Sequence, residues 1–386
     1  MGQTISPREM IETLISFDTT SRDSNLALIH YVRDYLDGWG VESTLIHNNE
    51  GNKANLYATL GPRVDGGVVL SGHTDVVPID GQDWDTDPWT VSEKDGRLYG
   101  RGTCDMKSFS AIGLAKVPMF LEAGLKVPIH FALSYDEEVG CLGVHSMIEH
   151  LSALPTRPRA VIVGEPTDMS VVNAHKGCVT INTKVTGLEA HSSAIQLGVN
   201  SIYYGAELVT FIQGLAEEMA NGPDRNERFN PPYTSVHIGT IRGGTARNII
   251  PKETEILWEF RPLPEFNHDH IVERFREFSE TQVLPKMRER YPEANIVTEV
   301  TNRLIPLVPA DESPAETLVM ALVGTNETGA VSYGTEAGAF QRAEIPTVVC
   351  GPGNIEQAHK PNEFIELSQV EACIGFMDKL ADRLSR

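Results

Sequence analysis

GGVVLSGHTDVVP (residues 66–78) opens with small and apolar residues, then presents His73 and Asp75 two positions apart. The run GGVVL reads as a buried strand. On a strand, residues i and i+2 share a face, so one strand end can aim an imidazole and a carboxylate into one cavity. Taken alone, the pair reads more readily as a satisfied core histidine beside a loop-capping aspartate. The neighbouring sequence makes it informative. NLYATL (55–60), IHFALSY (129–135), RAVIVGE (159–165) and PTVVCG (346–351) are further short apolar runs. Helical spacing marks 7–17, where Ser6 is a plausible N-cap, and 25–38, 104–123, 141–152, 314–324 and 368–385. Strands that alternate with helices predict an α/β fold with a mixed, mostly parallel sheet flanked by helices. In such sheets ligands bind beyond the carboxyl ends of the strands.

The pattern changes at about residue 177. CVTINTKVTG alternates like a half-exposed strand, and a helical segment (198–219) follows. Then come TSVHIGTIRGG, EILWEFRPL, a charged amphipathic helix (268–290) and NIVTEV. The order β-α-β-β-α-β is that of an inserted ferredoxin-like α+β domain. The expected division is 1–176 and 300–386 for one domain, with 177–299 inserted.

The 386 residues are ample for a sizeable core, and the formal net charge of −21 argues against a nucleic-acid partner. Five dispersed cysteines with no CxxC pair fit a reducing compartment. MGQTISPREMIETL has no charged-then-apolar leader pattern, and no long apolar window suits a bilayer. The expectation is a cytoplasmic protein without a membrane partner.

Four other stretches carry chemistry. GRLYGRGTCDMK (96–107) leads through a glycine-rich turn to Asp105 at a helix start, where an N-cap role would suffice. IHFALSYDEEVGC (129–141) ends an apolar strand in Asp136, Glu137 and Glu138. Adjacent carboxylates repel one another, so a cation or solvent must offset them. Glu165 follows the strand RAVIVGE, and His359 follows TVVCG in GPGNIEQAHKPNE. Each position has an ordinary explanation, but together they put two histidines and several carboxylates at strand ends of one sheet. That inventory suits two divalent ions sharing a bridging carboxylate. Two ions roughly 3.5–4 Å apart can hold and activate a water between them. Of Glu137 and Glu138 only one can comfortably ligate, which leaves its neighbour as general base.

SGHTDVVP, GRGTCDMK, DEEVG, GEPT and AHKPNE, in this order, resemble the motifs of the M20 family of dinuclear zinc amidohydrolases, over essentially the whole chain. The resemblance implies a zinc-peptidase-like catalytic domain and an inserted lid that forms a homodimer. It implies that His73 and Glu165 hold one ion, that Glu138 and His359 hold the other, and that Asp105 bridges them. Asp75 would orient His73, and Glu137 would be the general base. The metals would be Zn2+, with Co2+ as an alternative. In TGLEAHSS (186–193), His191 would stabilise the oxyanion in the partner subunit's site. Asn248, Arg261, Gly334 and Thr335 match positions that hold substrate, and Arg261 suits a carboxylate. Cys104, beside Asp105, is assigned to packing.

Within the family, the tail motif, AHSS and TEAG (335–338) resemble the acetylornithine deacetylase branch. The implied reaction is hydrolysis of an N-acyl amino acid, N2-acetyl-L-ornithine, to ornithine and acetate, as in arginine biosynthesis. Charge pairing suggests Glu336 for the ornithine ammonium. The alternatives are another amidohydrolase of the family, such as a desuccinylase or aminoacylase, and an inactive amino-acid-binding scaffold.

Overall fold

The computed structural model describes residues 2–386. By its internal contacts the chain divides into two units. The first comprises Met1–Ala174, Leu307–Ala330 and Thr335–Arg386, and the second His175–Pro306 and Val331–Gly334.

The first unit is built on an eight-stranded mixed sheet. In chain order its strands are β1 (Ser43–His47), β2 (Ala54–Leu60), β3 (Val68–His73), β4 (Ile129–Ser134), β5 (Ala160–Pro166), β6 (Val172–His175), β7 (Gly329–Val331) and β8 (Thr347–Gly351). Their spatial order is β1-β2-β4-β3-β5-β8-β6-β7. The centre is parallel: β3 pairs with β4 and with β5, and β8 pairs with β5. Antiparallel pairs flank it, β1 with β2, β2 with β4, and β8 with β6. Every residue of β3, β4, β5 and β8 is buried, as expected of strands covered on both faces.

Helices supply that cover. Pro7–Ile15 starts with a capping box in which Ser6 and Glu9 satisfy each other's main-chain N–H groups. It buries Met10, Ile11, Leu14 and Ile15 in the core shared by Leu70, Phe131, Ile162 and Val348. The expected helix 104–123 is two helices, Lys107–Ala115 and Val117–Glu122. The first of these lies close against the sheet. A Cβ on Gly164 would come within 2.0 Å of Phe109, and one on Gly72 within 2.6 Å of Ser110 Oγ. Glycine at these two places lets the helix that follows Asp105 approach the strands that carry His73 and Glu165.

The second unit contains an antiparallel sheet of Cys178–Thr186, Ser235–Gly243, Glu253–Arg261 and Asn295–Leu304. Across the sheet they lie in the order Ser235–Gly243, Glu253–Arg261, Cys178–Thr186, Asn295–Leu304, which are the second, third, first and fourth of the four along the chain. Helix Ser201–Asn221 joins the first two strands, and the helical segment from His268 to Arg288 joins the last two. This is the ferredoxin-like order. Where the sequence suggested one helix over 268–290, a π-type turn at Ser279–Val283 separates His268–Phe278 from Leu284–Arg288. Among the described residues, no helix is long and apolar enough to cross a membrane.

Candidate metal centre

Four parallel strands deliver the candidate residues to one end of the sheet. His73 is the last residue of β3 and lies in register with Ser134, the last of β4. Three residues beyond Ser134 the chain reaches Glu137 and then Glu138, and Glu165 lies near the end of β5. Asp105 immediately precedes Met106, the N-cap of helix Lys107–Ala115. His359 stands in the loop after β8 with φ +63°, in the left-handed region that a non-glycine residue enters only when its surroundings hold it there.

Asp105 is the centre of the cluster. Its Oδ1 is 3.1 Å from His73 Nε2, and its Oδ2 is 3.2 Å from His359 Nε2. His359 Nε2 is also 3.0 Å from Glu138 Oε2, and His73 Nε2 is 3.7 Å from Glu165 Oε1. Two sets have ligand atoms within 4.8 Å of one another: His73, Glu137 and Glu165, and His73, Asp105 and Glu138. The structure therefore brings together His73, Asp105, Glu137, Glu138, Glu165 and His359. The two oxygens of one carboxylate face two different imidazoles.

The electrostatics fit a cation site. Burial, then repulsion from Glu138 and Asp105, pushes the Glu137 carboxyl up to about 8, against the pull of His73. Burial and Asp105 push Glu138 up to about 6. Glu165 is driven well above the carboxylate range, by burial first and Asp105 second. Asp105 goes the other way: burial opposes its charge, but hydrogen bonds from His359 and His73 hold it below its ordinary value. Hydrogen bonds to Asp105 and Glu138 raise His359 to about 10. Packed carboxylates that resist ionisation, beside imidazoles held protonated by them, are what a site for divalent cations presents without its ions. Neutral imidazole and carboxylate oxygen are suitable donors for zinc. His73, Asp105 and Glu165 could hold one ion, and Asp105, Glu138 and His359 a second.

Surrounding groups fix these donors. His73 Nδ1 lies 2.8 Å from the main-chain carbonyl of Asp75 and 3.7 Å from its carboxylate. The ring thus bonds the main chain of Asp75, where the sequence suggests its side chain. The Asp75 carboxylate accepts the N–H groups of Glu137 and Glu138, at 3.1 and 3.2 Å, and the Ser21 hydroxyl at 2.7 Å. Cys141 Sγ donates to Glu137 Oε1 at 3.1 Å. Cys104 is buried and its Sγ points to the carbonyl of Asn354 at 3.2 Å, which suits packing.

Glu336 differs from its expected role. It is 2% exposed, with Oε1 accepting from Ser71 at 2.5 Å and Oε2 from Ser134 at 2.8 Å. Both oxygens are thus committed to hydroxyls of β3 and β4, and this geometry gives no support to a contact with a substrate ammonium. Sequence shows the charge of Glu336 but not its burial. Sequence reasoning also missed Ser21, Cys141 and Glu363. Glu363 stood inside the quoted AHKPNE, and its acidic character was the available signal.

Of the remaining candidates, His191, Asn248, Arg261 and Gly334 belong to the second unit and Thr335 to the first. His191 is exposed, and its Nδ1 accepts the Ser193 N–H at 3.1 Å. Asn248 is exposed. Arg261 Nε pairs with Glu259 Oε1 at 2.9 Å. The Thr335 hydroxyl oxygen accepts the Ala337 N–H at 3.0 Å.

Comparison with known proteins adds a family. A model described as peptidase family M20/M25/M40 matches residues 69–383. An acetylornithine deacetylase of Proteus mirabilis (strain HI4320) is 33% identical over 382 residues, covering 97% of this chain and 95% of that protein. One from Pasteurella multocida (strain Pm70) is 33% identical over 369 residues, covering 95% and 94%. Among solved structures, the M20 family metallo-carboxypeptidase Sso-CP2 of Sulfolobus solfataricus superposes with a TM-score of 0.78 at 17% identity, covering 99% of each chain. A dinuclear metal-binding M20 peptidase of Bacillus subtilis, YXEP, gives 0.63 at 15% identity, covering 98% of each. These structural likenesses establish the fold.

Proposed function

Because this chain belongs to the peptidase family M20/M25/M40, we propose that it is a metal-dependent amidohydrolase that cleaves N2-acetyl-L-ornithine to L-ornithine and acetate. The observation that carries the reaction type is Asp105, whose two oxygens meet His73 and His359 beside Glu137. The substrate is supported by the full-length similarity to acetylornithine deacetylases.

Two divalent ions, Zn2+ first and Co2+ as the alternative, would supply Lewis acidity and an activated water. His73 and Glu165 would hold one, Glu138 and His359 the other, with Asp105 shared. Glu137 takes a proton from the attacking water and delivers it to the leaving nitrogen as the C–N bond breaks, so water adds as OH to the acyl carbon and H to the amine. With Oε1 accepting from Cys141, Oε2 is the oxygen left to carry that proton. His191 stabilises the oxyanion in the partner subunit's site. Its Nδ1 accepts a main-chain N–H, so in the neutral ring the proton sits on Nε2 and is available to donate. Arg261 and Asn248 bind substrate, Arg261 through the substrate's carboxylate, and the backbone at Gly334 and Thr335 supplies donors to substrate. The second unit forms a homodimer contact, supported by the exposed side chains of Ile195, Leu197, Tyr203 and Ile241. The unpaired state of all five cysteines supports a cytoplasmic location.

Hydrolysis of N2-acetyl-L-ornithine, N-succinyl-diaminopimelate, N-acetylmethionine and a dipeptide, each with and without chelator, tests this reading. Chelator-sensitive turnover led by acetylornithine supports it. A different leading substrate removes the substrate assignment and keeps the chemistry. Turnover that ignores the chelator removes the metal.

A further inference from the structure

The loop that carries His359 ends in Glu363, which is 1% exposed. Its Oε1 accepts three main-chain N–H groups, from Gly102 at 3.1 Å, Cys104 at 2.8 Å and Asp105 at 3.0 Å. Its Oε2 accepts from Arg101 Nη1 at 2.6 Å, and both side chains of that pair are all but excluded from solvent. Arg101 Nη2 donates to Gln82 Oε1 at 2.6 Å. Gln82 Nε2 then donates to the main-chain carbonyl of His359 at 3.0 Å.

These bonds form one circuit. It starts at the amide of Asp105, passes through Glu363, Arg101 and Gln82, and ends at the carbonyl of His359. The side chains of its two end residues meet at 3.2 Å. His359 needs outside support. Its backbone is in the left-handed region, and its side chain is 55% exposed, so little packs against the ring from outside. His73 is in a different position: it is 1% exposed and is held by its own strand and the Asp75 carbonyl. A buried ion pair is a poor device for stability, since an apolar pair of similar volume does as well or better. Here its directional bonds fix two loops that both carry ligand candidates.

We propose that Glu363 is a positioning residue which, through Arg101 and Gln82, sets His359 against Asp105. It thereby controls occupancy of the metal position that these two share with Glu138. The position made by His73 and Glu165 is left largely independent. The proposal rests on the two-metal reading above.

Gln82 is half-buried and uncharged, so Gln82→Ala leaves the Arg101–Glu363 pair intact and keeps the test open even if Glu363→Gln fails to fold. Metal-free wild type, Q82A and E363Q are titrated with Zn2+ by calorimetry. Bound metal after dialysis is counted by atomic emission, and thermal unfolding is recorded without metal. Wild type takes two ions. In Q82A one of the two sites loses about tenfold or more in affinity, the usual effect of removing a residue that orients a ligand. The other site changes less than about threefold on the same scale, and the metal-free unfolding midpoint stays near wild type. E363Q, where folded, retains one ion. Q82A with both affinities unchanged, or with both reduced equally, overturns the proposal while leaving the two-metal reading in place. A wild type that binds fewer than two ions overturns both.

Discussion

His73 Nδ1 and the main-chain carbonyl of Asp75 lie 2.8 Å apart, while the Asp75 carboxylate turns to the N–H groups of Glu137 and Glu138. Asp75 therefore acts in two directions. Its backbone carbonyl meets the His73 ring, and its carboxylate accepts N–H groups of the turn that bears Glu137 and Glu138. Asp75→Ala keeps the carbonyl and removes the carboxylate. The expected result is a tenfold to hundredfold fall, about the effect of losing such a support, in kcat more than in KM. Metal bound at the His73 position is retained. Loss of that ion in D75A, measured by atomic emission, would show that the carboxylate does orient the imidazole.

Glu137 stands beside the ligand cluster with Oε1 held by Cys141. A general base can be removed without emptying a metal site. Glu137→Gln is isosteric and still accepts from the thiol. It should bind two ions and lose about two to four orders of magnitude in kcat, the usual size of general acid–base catalysis. Near-normal turnover in a fully metallated E137Q variant removes Glu137 from the role.

Glu336 joins the ends of β3 and β4 by accepting from Ser71 and Ser134. Glu336→Ala leaves two buried hydroxyls without their acceptor and opens a cavity. Each unsatisfied polar group costs about 1–3 kcal/mol, so the variant should lose about 2–6 kcal/mol in urea unfolding. Preference for acetylornithine over acetylmethionine should stay unchanged. A variant of wild-type stability that loses this preference would instead place the carboxylate against the substrate.

The central fold was legible because β3, β4, β5 and β8 are buried on both faces, which forces the short apolar runs visible in the sequence. The candidate centre was legible because those runs end in His73, Glu137, Glu138 and Glu165, which a buried strand end does not tolerate without a partner. The edge strand Ser43–His47 is only half-buried, so it leaves no such run and went unread. Which way a side chain bonds was also hidden. HTD shows a histidine and an aspartate on one face, but only the structure shows that the ring bonds the backbone of Asp75. AHKPNE shows an acid, and only the structure shows Glu363 beneath the Asp105 loop. Bonds of these kinds depend on the folded path of the chain, and local pattern carries little information about them.

At the far end of β4 from the candidate metal centre, His130 is 4% exposed. Its Nδ1 lies 2.7 Å from Tyr57 Oη and 3.0 Å from Thr59 Oγ1, and its ring stacks on Tyr57. Burial lowers its pKa from 6.5 to about 4. Between those values the unfolded chain binds a proton that the folded chain refuses, so stability rises with pH across that window. The contribution is present in full above 6.5 and is lost as pH falls towards 4. From pH 7 to pH 5 the loss should be about 2 kcal/mol, because a tenfold difference in proton affinity between the two states is worth about 1.4 kcal/mol. His130→Gln keeps an acceptor for the two hydroxyls and cannot titrate. Urea unfolding of wild type and H130Q at both pH values, with chelator throughout so that metal release does not contribute, isolates the effect of this one ring. The drop in stability from pH 7 to pH 5 should be smaller in H130Q by that amount. Equal drops in the two proteins would mean that His130 takes up its proton in the folded state as readily as in the unfolded one. The acid sensitivity of the fold would then have to come from other groups.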